Sequence, residues 1–128
     1  MKANKKNYMD KINEIKATDY ITAYYKEINE EIRQLSNHKN FAGILQAAVN
    51  FLKLLLTNGQ VKKIGNRIKV MGLLHKRGND YVKFIIENLF VRSFDGMKRK
   101  CTAVEWNDLY KGIPLALKKV YIAQKAMA

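Results

Sequence analysis

Between Phe41 and Leu56 the chain reads FAGILQAAVNFLKLLL, its most continuous apolar stretch. Wound at about 100° per residue, its polar side chains Gln46, Asn50 and Lys53 fall with Thr57 into one narrow stripe. Roughly three-quarters of the circumference is apolar, so this segment is expected to be a central core helix wrapped by its neighbours. At about 24 Å it is short for a bilayer, and Asn50 and Lys53 interrupt it, so no membrane span is expected.

Before it, apolar residues recur three and four apart: Tyr8, Ile12 and Ile15, then Ile21, Tyr25, Ile28, Ile32 and Leu35. Thr18-Asp19 has the composition of an N-cap, which predicts a short first helix and a second from about Asp19 to Ser36. One continuous helix is the alternative. Residues 1–7 are expected to be a flexible basic tail, leaving 8–128 as a single helical domain. After the core helix, whose expected caps are Asn40 and Asn58-Gly59, a helix from about Gln60 to Arg77 should close at Gly78. Asn79 should cap the next, Asp80 to about Ser93, with a loop from Ser93 to Cys101 behind it. Thr102 and Glu105 form a capping box for a helix to about Lys111, and Gly112 and Pro114 separate it from a last helix to about Lys125.

No segment has strand period. The expected fold is all-α: one compact antiparallel bundle of about six or seven helices, with turns short enough for HEAT-like αα-hairpins. A chain of 128 residues can bury about two-thirds of its unfolded surface, enough for a core without staples. The single cysteine, Cys101, rules out an internal disulfide and fits a reducing, cytoplasmic setting. No apolar stretch follows the basic MKANKKNYMD, so no secretory signal is expected.

Charge changes the picture most. There are 24 basic against 11 acidic residues, a formal net charge of +13, which points toward an acidic partner. Six of the eleven acids lie between Asp10 and Glu31, where Glu27 and Glu31 flank Lys26 and Arg33 as an ordinary salted helix face. From Ile32 through Asn79 there is no acid at all, across 48 positions carrying nine bases. On the helix over 60–77, Val61, Ile64, Ile68, Met71 and His75 share one side. Lys62, Lys63, Arg67, Lys69, Lys76 and Arg77 take the opposite half, with Val70 and Leu73 near them. A passive surface normally interleaves both signs, so this face and the run Lys98, Arg99 and Lys100 are the candidate binding residues. Lysine is the bulk of the excess, however, at 19 of 24, and Asn and Ile stand at twelve each, the composition an AT-rich coding bias would produce.

Catalytic chemistry has little to work with. His38 falls in a turn and His75 on an apolar face, neither beside a second ligand at metal spacing, and one cysteine completes no zinc set. No phosphate-binding Gly-rich loop or nucleophile elbow occurs, so no enzyme, cofactor or metal is expected. Cys101 follows three cations and precedes a helix, a setting that favours thiolate, against the plain reading of a small buried hydrophobe. Tyr81, Phe84 and Phe90 stand at core spacing and are expected to be filler, while Trp106, Leu109 and Tyr110 should pack their helix onto the body. The turn at Gly78-Asn79 outlines a helix-turn-helix, but the helix after it is apolar and carries Asp80 and Glu87, which phosphates repel.

The stretch MGLLHKRGNDYVKFIIENLFVRSF, followed by WNDLYKGIP, resembles small uncharacterised bacterial helical domains over residues 41 to 125. That resemblance implies the architecture and no activity. The expectation is a non-catalytic binding or adaptor module meeting an acidic protein partner. The alternative is sequence-neutral nucleic-acid binding through phosphate contacts.

Overall fold

The computed structural model describes residues 11–128. Among them the fold is a compact all-helical bundle of seven helices, with the run from residue 80 to 98 taken as one. In chain order these are α1 (Glu14–Tyr24), a 3-10 turn (Lys26–Ile28), α2 (Asn29–Asn37), α3 (Phe41–Thr57), a 3-10 turn (Val61–Lys63) and α4 (Gly65–Arg77). The long run comprises α5 (Asp80–Ile85), a π segment (Ile86–Phe90), a 3-10 turn (Val91–Ser93) and α6 (Phe94–Lys98); α7 (Ala103–Lys111) and α8 (Leu115–Ala126) follow.

As expected, α3 is the centre. Nine of its residues are buried, from Phe41 to Leu56, while Gln46, Asn50 and Thr57 lie exposed along the polar stripe. Leu54, 55% exposed, widens that stripe beyond its polar residues. Asn40 accepts from the amide of Gly43 to cap its start, and Gly59 ends it at φ 74, the left-handed conformation that glycine adopts without a Cβ penalty. Around α3 pack α1, α2, α6 and the π segment, and α4 is held between α1, α5 and α8.

Two expected boundaries move. The first helix does not break at Thr18-Asp19: α1 runs through them, capped by Asn13, because Thr18 and Thr22 donate to carbonyls one turn back and stay helical. The break comes at Tyr25, which is fully buried and donates its hydroxyl to the Arg67 carbonyl at 2.9 Å. Whether the short first helix begins at Tyr8, and whether 1–7 form a tail, lies outside the described residues. Gly78 closes α4 as expected, with extended backbone at φ −71. Glycine is needed there for space, since a Cβ would lie 2.5 Å from the Leu74 carbonyl oxygen and 2.7 Å from Val82. Beside it Ile12 makes a two-residue parallel bridge, donating to Arg77 O and accepting from Asn79 N.

The second correction is at 93–101, expected as a loop and helical as far as Lys98. Buried Val82, Ile86, Phe90, Phe94 and Met97 form one inward stripe, and the wide π turn carries it onward past Glu87. With Phe94 and Met97 needed in the core, the Asp95-Gly96 pair cannot leave the helix. The capping box of Thr102 and Glu105 is present, and Trp106 packs on Phe94 and Tyr110.

Candidate functional site

The nine candidate cations do not form one surface. Arg67 leaves the set first. Its guanidinium reaches back to the first break in the helices, where Nη2 meets both oxygens of Glu27 at 2.9 and 2.7 Å. Nε donates to Tyr24 O and Nη1 to Lys63 O. It also lies 5.3 Å from the Phe51 ring centroid. Arg67 is a brace that docks the α1–α2 corner onto α4, with its charge answered by a carboxylate. A cleft of about 360 Å³ opens beside it, lined by Tyr24, Glu27, Lys62, Lys63, Asn66 and Arg67.

Lys62, Lys63, Lys69, Lys76 and Arg77 keep their charge outward. All five are exposed, and none makes an ion pair among the described residues. Lys69, Leu73 and Lys76 follow one another at helical spacing down the outer face of α4, so Leu73, 37% exposed, is an apolar point between two cations. Val70, expected on the same side, is 4% exposed and belongs to the core. On the inner edge Gly72 lets α8 approach, since a Cβ there would sit 2.5 Å from Pro114 Cγ. His75 is a half-buried, satisfied residue, its Nε2 2.7 Å from Glu87 Oε2.

Lys98, Arg99 and Lys100 are exposed at the end of the long run, on another flank. Their helix packs on α3 next to Lys53, whereas Arg67 stacks on Phe51; two residues along a helix are about 200° apart. The 62–77 and 98–100 groups thus sit on different elements and do not make one surface.

Cys101 does not have the character of an activated nucleophile. Burial, and then the charge of Glu105, pushes its thiol up from the ordinary value, so the neighbouring cations do not prevail. Nearby, the hydroxyl of Tyr121 and then the ammonium of Lys125 hold the Asp95 carboxyl below the usual carboxylate range. Tyr121 itself is pushed up to about 12, mainly by burial and secondly by that bond to Asp95.

Two aromatic residues expected as core filler are on the surface: Tyr81 is 44% and Phe84 59% exposed, and only Phe90 is buried. Tyr81 leans on Phe41, which with Ile15 and Ile44 lines a groove of about 310 Å³. Helical spacing alone does not distinguish the buried from the outer half of α5, and the neighbouring Lys83 was the available hint. Among the described residues no helix is long and apolar enough to cross a membrane, and no group of His, Cys, Asp and Glu could hold a metal ion.

One protein family model, described as a domain of unknown function (DUF7674), matches residues 18–127, which takes in every helix from α1's middle to α8. No curated protein and no solved structure matches the chain.

Proposed function

The chain belongs to the DUF7674 family, an uncharacterised helical domain, and from that premise we propose that it is a non-catalytic binding module that presents the outer face of α4 to an acidic protein partner. The observation that carries this reading is the set Lys62, Lys63, Lys69, Lys76 and Arg77, exposed and without a carboxylate among the described residues. Exposed cations gathered without acids attract acidic surfaces over several ångströms and speed encounter. Leu73 in their midst supplies apolar area for a contact that phosphate alone would not use.

Against a nucleic-acid partner stands the fate of Arg67. The guanidinium best placed to fork onto a phosphate or a base edge is committed to Glu27 and two carbonyls. What remains is mostly lysine, point charges suited to attraction and not to readout. An adaptor or accessory role inside a bacterial cytoplasm fits this surface.

Capture from native lysate by the wild-type chain, by a K62E/K69E/K76E variant and by a K118E/K119E/K125E variant on α8 tests the reading. An acidic protein should be retained by the first and third and lost by the second. Capture that survives in the α4 variant overturns it. Titration with random duplex DNA at 50 and 200 mM salt tests the alternative, since phosphate-driven binding would be tight at low salt and fall steeply.

A further inference from the structure

The end of α6 holds a second cationic cluster that the sequence does not place together. Lys53 comes from the polar stripe of α3, and Arg99 from the end of α6 some 45 residues later. They meet over Gly96. A methyl carbon at that glycine would lie 2.9 Å from Lys53 Nζ and 3.8 Å from Arg99 Nη2. The bare backbone of Gly96 is therefore what gives the lysine head its room. Neither side chain makes a hydrogen bond or an ion pair among the described residues, although Lys53 is half-buried. Lys98 and Lys100 add exposed charge in the same turn.

The carboxylates within reach are already occupied. Asp95 accepts from Tyr121 and Lys125, with Arg99 contributing least to holding it ionised, and Glu105 accepts from the Thr102 amide in the capping box. Cations at the carboxyl end of a helix are stabilised by its dipole, which accounts for Lys98 to Lys100. It does not account for a lysine from another helix brought against them. Two like charges facing one point repel, and an anion between them removes that cost.

We infer that Lys53 and Arg99, opening over Gly96, form a binding site for a phosphate dianion, either inorganic or carried as a phosphomonoester. An ammonium with three donors beside a planar guanidinium fork suits a tetrahedral, doubly charged group better than a single carboxylate. The site is separate from the α4 face and does not depend on its role.

Amide NMR spectra of the intact chain, titrated with inorganic phosphate, glycerol 2-phosphate and acetate at matched ionic strength, test this. Phosphate should give saturable shifts centred on residues 96–100, and acetate none. Saturation by glycerol 2-phosphate as well would assign the ester as a ligand, and its absence would assign free phosphate. Lys53→Met and Arg99→Gln should each weaken binding about tenfold, as for loss of one charge-assisted hydrogen bond, with the rest of the spectrum unchanged. K69E/K76E should bind phosphate as wild type does, which separates this site from the α4 surface. Equal responses to phosphate and acetate, shifts spread over all lysines, or undiminished binding in both variants would overturn the site.

Discussion

Arg67 and Lys69 stand two residues apart on the same helix and have opposite fates. Arg67 is half-buried and tied to Glu27, Tyr24 and Lys63; Lys69 is exposed and has no ion-pair partner among the described residues. The inner flank of α4 uses its charge to hold the bundle together, and the outer flank leaves its charge in solvent. A count of basic residues does not separate these uses. Only the position of the opposing carboxylate does, and Glu27 lies 40 positions away in the chain.

The largest expected effect comes from removing the brace. Arg67→Met should cost about 1–2 kcal/mol in denaturant unfolding, because it loses the forked pair with the half-exposed Glu27 carboxylate, two hydrogen bonds to carbonyls and the stacking on Phe51. Arg67→Lys should recover little of this, since one ammonium cannot reproduce the fork. Lys69→Met should change stability by less than about 0.5 kcal/mol. A comparable loss at both positions would erase the distinction between the flanks.

Next in size is binding. If the proposed acidic partner meets this face, Lys69→Met with Lys76→Met should weaken that association about tenfold, mostly through slower encounter, and the loss should shrink as salt rises.

A smaller effect is expected at Tyr121. Tyr121→Phe should cost about 1 kcal/mol at neutral pH and should flatten stability at both pH extremes. The Asp95 carboxyl is lowered, so its share of stability is present above the ordinary carboxylate value and is lost as pH falls through the folded one. The Tyr121 phenol is raised, so its share is present below an ordinary value of about 10 and is lost as pH rises through about 12. Unfolding curves from pH 2 to 12 on both proteins read the two limbs.

The smallest effect concerns the other basic group. Alkylation of Cys101 by iodoacetamide should have its midpoint above that of an unperturbed thiol, and Glu105→Gln should bring it partway down. A midpoint below the ordinary value would mean that Lys98, Arg99 and Lys100 dominate that corner after all.

What the sequence made legible was local. Asn40, Asn79 and the Thr102–Glu105 box act on amides three residues away, so their patterns could be read directly. The core helix was legible because its apolar positions outnumber any alternative face. Thr18-Asp19 misled because a threonine can cap a helix or bond back within one, and the choice was made by Tyr25 docking under Arg67. Asp95-Gly96 misled because turn composition was outweighed by Phe94 and Met97 completing a buried stripe. At the proposed binding surface the sequence showed an acid-free stretch. It could not show that Arg67 would be answered from outside that stretch, or that Lys53 would meet Arg99. Both depend on packing between distant segments.

Zero-length carbodiimide coupling, which joins a lysine to a carboxylate it already touches, tests the proposed contact face of α4 most directly. On the captured complex, peptide mapping should find Lys62, Lys63, Lys69 and Lys76 joined to Asp or Glu of the partner, with α8 lysines unmodified. Links confined to Lys118, Lys119 and Lys125, with the α4 lysines untouched, would contradict the assignment of that face.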